Sequence, residues 1–242
     1  MTVETAGAKP SPSRQNVGQM FDRIAHRYDL ANRVLSMGTD IGWRKRMARD
    51  LPAREEMKLL DMATGTGDVL LAMHRMNTRV RSGVGMDVSA NMLAIGRDKI
   101  EDRGLTAAFR MVRADATCIG AKDDAFDAVT ISFGIRNVPD VPMALREMHR
   151  VLKPGGRLLI LEFSLPGNAL FRPVYLFYLR HILPRIGGIL SGDQSAYRYL
   201  NQTIESFPYG DEFCALMRDA GYREVSAQPL SMGIATLYQG DK

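Results

Sequence analysis

A loop at Leu59–Asp68 (LLDMATGTGD) holds the residues whose types and spacing most directly suggest chemistry. A short apolar run ends in an acid, Asp61, then breaks at Gly65 and Gly67 before Val69-Leu70-Leu71. That order predicts a buried strand, a tight turn and a helix start, an arrangement that brings backbone N–H groups against a ligand. A dinucleotide fingerprint would carry glycine at the sixth place of G-x-G-x-x-G, where this chain has Leu70. The turn therefore fits a nucleoside without a pyrophosphate better. S-adenosylmethionine is the leading candidate, and an ordinary turn is the plain alternative.

The next apolar stretch, Val80–Val88 (VRSGVGMDV), ends with Asp87, 20 residues beyond Gly67. An acid there can accept both hydroxyls of an adenosine ribose. Ser89 then reads as the N-cap of a helix running to about Arg103, with Gly104 beyond its end. The competing reading gives Asp87 only a role in that helix's N-terminal electrostatics.

The elements that must hold these residues alternate. Strands are expected near Lys58–Ala63, Val84–Val88, Ala108–Arg113, Ala125–Ser132 and Arg157–Phe163. Helices are expected near Val69–Met76, Ala90–Arg103 and Val141–Leu152, the last ended by Lys153-Pro154-Gly155-Gly156. This is the rhythm of a mostly parallel sheet covered on both faces. Upstream, Val17, Met20, Phe21, Ile24, Tyr28, Ala31 and Leu35 recur at helical intervals after Asn16 as a cap, and a second helix surrounds Trp43–Asp50. Downstream, Phe213–Ala220, Tyr222–Ala227 and Ile234–Tyr238 read as helix, strand, strand, so a closing hairpin places an antiparallel strand in the sheet.

One segment breaks the rhythm. From about Asn168 to Phe207 the pattern is helical and aromatic, too long for a connecting loop and too apolar to be simply solvated. Extra helices burying their own small core would explain it. So would a lid over a greasy substrate, with Arg172, Arg180 and Arg185 toward anionic headgroups.

The 242 residues, 45% hydrophobic, suffice for one enzyme domain. Residues 1–15 are polar and read as a loose tail rather than a signal peptide, which leaves 16–242 as the domain, its helical insertion at about 168–207. No apolar run approaches bilayer length. Cys118 and Cys214 lack metal-ligand spacing, so no metal is expected and a reducing, cytosolic setting is. The net charge of +5 admits nucleic acid, a membrane surface or mere solubility. No appended RNA-binding module or basic, aromatic-interleaved strand supports an RNA methyltransferase.

Five blocks resemble one family, the C-methyltransferases of ubiquinone and menaquinone biosynthesis, over about Val17 to Tyr238. They are YDLANRVLSMGTDIGW (Tyr28–Trp43), LLDMATGTGD, SFGIRNV (Ser132–Val138), RVLKPGGRLLILEFS (Arg150–Ser164) and AYRYLNQTIESFP (Ala196–Pro208). Within the first block Asp40 stands where the family usually has histidine, and Ala31 where it usually has methionine. The resemblance implies a class I methyltransferase, Rossmann-like α/β fold, with a seven-stranded sheet whose last strand is antiparallel. It also implies S-adenosyl-L-methionine as cofactor. Carried over, Thr66 with Gly65 and Gly67 surrounds the amino-acid end, Asp87 holds the ribose, Asp115 and Ala116 meet the adenine, and Ser132 completes the crevice. Met86 and Met92 flank the adenine or are plain core.

The implied reaction is C-methylation of a polyprenyl quinol, with demethylmenaquinol leading and the 2-methoxy-6-polyprenyl-1,4-benzoquinol precursor of ubiquinone as the alternative. A non-catalytic cofactor-binding subunit is a further reading. Attack by a ring carbon needs a phenolic proton removed, and phenols ionise near ~10. Arg136 is the expected electrostatic stabiliser, since it stays protonated, and Asn137 the group that orients a phenolic oxygen. An ordinary salt bridge is the alternative for Arg136. For the proton acceptor the sequence offers His26, Asp29 and His181, with Tyr28 and Tyr197 as pocket walls, while His74 and His149 need no catalytic role. The substrate further implies peripheral contact with the inner face of the cytoplasmic membrane through Asn168–Leu190, and a homodimer through the insertion is one expectation.

Overall fold

The computed structural model describes residues 17–23, 25–26, 36, 38–77, 79–191 and 194–242. The expected tail, the cap Asn16, and Ile24, Tyr28, Asp29, Ala31 and Leu35 lie outside them.

After a helical stretch at 17–23 and 25–26, the chain forms α1 (Thr39–Arg49), β1 (Met57–Met62), α2 (Asp68–Met76), β2 (Val80–Asp87), α3 (Ala90–Glu101), β3 (Phe109–Arg113) and β4 (Phe126–Ser132). Then come a 3-10 turn (Ile135–Asn137), α4 (Val141–Val151), β5 (Leu152–Phe163), α5 (Phe171–Phe177), a π-turn (Tyr178–Ile182), α6 (Leu183–Ser191) and α7 (Gln194–Ser206). The chain closes with α8 (Asp211–Asp219), β6 (Arg223–Leu230) and β7 (Ala235–Asp241). One seven-stranded sheet results, in the order β3-β2-β1-β4-β5-β7-β6. β1 to β5 pair in parallel, and β7 runs antiparallel to both β5 and β6.

The central strands are apolar because both faces are covered. Neighbouring residues of β1 enter different cores: Leu60 joins Val129, Ile131 and Ile160 on one face, and Leu59 joins Ala128, Leu159 and Leu161 on the other. α4 shows how a covering helix is specified. Val141, Ala144, Leu145, Met148 and Val151 recur at helical spacing and are all buried. Asp140 caps the helix by accepting the Met143 N–H at 2.9 Å, a contact worth about 1 kcal/mol. At α3, Ser89 caps as the sequence predicts. Gly104, at φ 66°, closes the helix with the Leu105 and Gly104 N–H groups bonding back to Ile100 and Glu101.

One boundary differs from the sequence reading. β5 starts at Leu152, so Lys153–Gly156 interrupt a strand instead of preceding one. Phe126 pairs with Leu152 and Ala128 with Arg157, which leaves the intervening residues as a bulge. The chain terminus ties that bulge down, with Gly155 N donating to Lys242 O and Lys242 N to Gly156 O.

The insertion buries its own core of Tyr175, Leu179, Leu183, Tyr197 and Ile204, joined by Ala25, Met92 and Leu165. The sheet order reverses between β1 and β4, so their carboxyl ends part into a crevice.

Candidate active site

Parallel register brings Asp61, Asp87, Arg113 and Ser132 to one edge of the sheet, within a residue of their strand ends. Beyond that edge lies a cavity of about 330 Å³ lined by Gly65, Asp87, Asp115, Ala116, Ser132 and Asn137, among others. It is in the size range of small-molecule sites. Residues of the N-terminal helical stretch cover it, and Asp22 fastens that stretch by accepting from the Ser89 hydroxyl at 2.5 Å and the Asn91 N–H at 3.0 Å.

Asp87 connects the two turns at the cavity's rim. Its Oδ2 accepts the Gly65 N–H at 2.8 Å and its Oδ1 the Ser89 N–H at 2.9 Å. Burial raises its pKa above the usual carboxylate range, against the pull of those N–H donors. Gly65 and Gly67, at φ 56° and 78°, take the left-handed turn that the loop requires. Gly65 lines the cavity, whereas Gly67 lines none and acts as the N-cap of α2. Ala63 and Phe133 also hold positive φ, 48° and 55°, at strand ends bordering the cavity, a conformation costing non-glycine residues roughly 1–2 kcal/mol each. Met92 lines the cavity and Met86 is buried core.

Thr66 faces elsewhere. It lines a recess of about 40 Å³ with Arg44, Asp61, Asp68 and Ser132. There Lys99 Nζ donates to Thr66 Oγ1 at 2.9 Å and to Asp68 at 2.7 Å. Asp61 is fully enclosed, accepting from Thr64 and Thr130 hydroxyls at 2.6 Å each, and burial pushes its pKa up to about 6. Asp115 is exposed, its Oδ1 turned back onto Thr117 N at 2.8 Å.

A second cavity, about 280 Å³, adjoins the first and shares Phe21, Phe133 and Asn137 with it. Its walls are largely aromatic: Trp43, Phe163, Tyr175, Tyr178 and Tyr197 all contribute. Arg136 lies in this wall, 5% exposed, with Nη1 donating to Glu162 Oε1 at 2.5 Å and to Phe133 O at 2.6 Å. Its guanidinium carbon sits 5.4 Å from the Phe163 ring centroid. Glu162 is buried, and desolvation raises its pKa although Arg136 opposes the shift. The salt bridge and the cavity position therefore coexist: one side of Arg136 is anchored, while its Nε is buried with no hydrogen-bond partner among the described residues. Asn137 Oδ1 and Arg44 Nε share that condition.

The other expected residues lie apart. His26 and His181 are exposed and line neither cavity. His74 bonds Val80 O, and His149 meets the edge of Tyr222. Arg180 pairs with Glu205 from α7, Arg185 donates to His181 O, and Arg172 is exposed. Among the described residues no group of His, Cys, Asp or Glu side chains is arranged to hold a metal. Two contributors escaped the sequence reading. Asp61 was visible only as the acid that ends a strand. Arg44 carries no signal of its own in the sequence, since nothing local separates it from its neighbours Lys45 and Arg46.

The residue set fits S-adenosylmethionine: an acid ending the second strand, a cavity of about 330 Å³ at the strand ends, and a recess with a cation and two carboxylates that could receive an amino-acid end. Buried polar atoms without partners border both cavities. A model described as the ubiE/COQ5 methyltransferase family matches residues 10–242. The chain is 45% identical over 228 residues to the ubiquinone/menaquinone biosynthesis C-methyltransferase of Geobacter sulfurreducens, covering 94% of this chain and 89% of that protein. It is 45% identical over 223 residues to the demethylmenaquinone methyltransferase of Thermus thermophilus, covering 92% and 100%. A SAM-dependent methyltransferase structure from Aquifex aeolicus aligns at TM-score 0.60 and 18% identity, covering 82% and 88%, which shows the fold.

Proposed function

This chain belongs to the ubiE/COQ5 methyltransferase family, and on that premise we propose that it methylates a ring carbon of a polyprenyl quinol, converting a demethylmenaquinol to a menaquinol. The observation that carries this reading is the pair of adjoining cavities: a polar one at the strand ends and an aromatic one holding a buried arginine. S-adenosyl-L-methionine, when bound, supplies an electrophilic methyl group on a sulfonium.

Asp87 would hold the ribose hydroxyls of the bound cofactor. Asp115 and Ala116 meet the adenine, and Ser132 closes the crevice. Gly65 and Thr66 surround the amino-acid end, where Asp61 faces its ammonium and Arg44 its carboxylate, and Gly67 acts through the turn. Arg136 stabilises charge developing on the phenolic oxygen, and Asn137 orients that oxygen. The aromatic walls exclude water, which strengthens both interactions.

The exposed apolar side chains Leu170, Val174 and Phe177 extend this reading to the bilayer. Val174 also lines the aromatic cavity, so a prenyl tail leaves it directly onto that face, beside Arg172. No helix among the described residues is long and apolar enough to cross a membrane. On this reading the enzyme works at the inner surface of the cytoplasmic membrane as a peripheral protein. A homodimer through the insertion would occupy the same face, and sedimentation showing concentration-dependent dimers without lipid would favour it.

The deciding experiment offers labelled cofactor with short-tailed demethylmenaquinol or the benzoquinol precursor, each reduced and oxidised. Transfer to reduced demethylmenaquinol alone is expected. Transfer to the benzoquinol instead would reassign the branch, and transfer to neither, with cofactor binding intact, would sink the quinol assignment.

A further inference from the structure

Arg136 keeps its own proton, so methylation at a phenol-bearing ring needs another group to accept one. Among the described residues lining the aromatic cavity, Asp40 is the one carboxylate, and no imidazole is present. Asp40 stands in the first turn of α1 and is 3% exposed. Its Oδ1 accepts from the Ser36 hydroxyl at 2.9 Å, and its Oδ2 lies 3.1 Å from Arg44 Nη2. Acids are seldom buried in aromatic walls, because desolvating the charge is costly unless it is paired. An acid serving only the helix dipole would be stabilising at the surface. Here it borders the same cavity as Arg136 and Asn137.

We propose that Asp40 is the proton acceptor of the reaction, an inference that rests on the quinol reading above. A free phenol, with its pKa near ~10, is a poor donor to a carboxylate. It becomes a strong one as its ring carbon bonds to the methyl group, because the oxygen then turns carbonyl-like. The O–H bond breaks, its proton passes to an Asp40 oxygen, and its electron pair forms the C=O π bond. The ring carbon's pair forms the new C–C bond, and the pair of the broken carbon–sulfur bond stays on sulfur. The proton on the methylated carbon then leaves to water, its pair restoring the aromatic ring while the oxygen recovers its proton from Asp40. One proton is released overall.

Full-length Asp40→Asn keeps the shape and the acceptor toward the Ser36 hydroxyl, while removing the base and the charge that faces Arg44. It is expected to lower turnover about 10²–10³-fold. Quinone affinity read from quenching of Trp43, the only tryptophan of the chain and part of this cavity wall, should hold, and cofactor affinity by calorimetry should fall far less than turnover, through the lost Arg44 partner. Asp40→His, which retains a base, should recover part of the loss. A halogenated quinol with a more acidic phenol should narrow the gap between wild type and Asp40→Asn. Unimpaired turnover in Asp40→Asn overturns the proposal. So does an equal loss with both quinols that histidine fails to rescue, or a parallel loss of cofactor and quinone binding, which would assign Asp40 to holding α1 in place. A wild-type protein that methylates no reduced quinol would instead overturn the substrate reading, and this inference with it.

Discussion

The two cavities on either side of Phe133 are built in opposite ways. The polar one is made by strand ends and the turns that follow them: Gly65 after β1, Asp87 ending β2, Asp115 after β3 and Ser132 ending β4. Parallel pairing sets their positions, so the backbone itself fixes the site. The aromatic one is assembled from side chains on α1, the 3-10 turn, β5 and the helical insertion, segments separated by more than a hundred residues of chain. The difference teaches that the first cavity should depend on the sheet's integrity, and the second on how well the insertion packs against it.

The largest expected effect breaks the second cavity and spares the first. Arg136→Ala should lower quinol turnover by about 10²–10³-fold, the scale of losing one fixed donor at a developing oxyanion, while calorimetry shows cofactor affinity retained. It should also destabilise the fold, since Glu162 would be left buried without its cation, a loss of about 3–5 kcal/mol in comparable pairs. Adding Glu162→Gln should restore thermal stability and leave turnover low. Restored turnover would mean that Arg136 is purely structural.

Asp61 sharpens the comparison through pH. Its folded-state pKa, about 6, lies above the ordinary aspartate value of 3.8 because the carboxyl is buried. The stability it contributes is therefore full below about pH 4 and lost as pH rises through about 6. Measured by denaturant unfolding, wild type should lose up to about 3 kcal/mol relative to Asp61→Asn between pH 4 and 7. A pH-independent difference would refute the burial assigned here.

Asp87→Ala probes the polar cavity in the converse direction. Removing charge-assisted hydrogen bonds worth about 1.5–3 kcal/mol should weaken cofactor binding roughly 10–100-fold, with Trp43 quenching by quinone unaffected. Coupled loss of both would show that the cavities are one cooperative unit. The smallest effect concerns the outer face. Val174→Ala and Phe177→Ala should change stability by only about 0.5 kcal/mol, yet reduce flotation with anionic liposomes. Binding that ignores both substitutions and salt would remove the membrane from this face.

The legibility of each region follows from its construction. The glycine loop, the acid ending β2 and the cap at Ser89 were readable because each is a short-range requirement of backbone geometry, written in adjacent residues. The bulge at Lys153–Gly156 was not, since Pro154 and Gly155-Gly156 also spell a loop, and only pairing with β4 and the chain terminus makes them part of a strand. His26 and His181 were suggested by residue type and by lying in segments expected to cap the site. Both are exposed, and among the described residues the acid that borders the aromatic cavity is Asp40.

The sequence by itself determined the alternating fold, the glycine turn after the first strand and the family to which these blocks belong. Hydrophobic periodicity and turn chemistry act over a few residues and survive without knowledge of partners. Only the tertiary structure decided that Arg136 is anchored by Glu162, that Arg44 and Asp61 share a recess, and that Asp40 borders the aromatic cavity. Those relations join residues distant in the chain, and they exist only once sheet register and helix packing have brought the segments together.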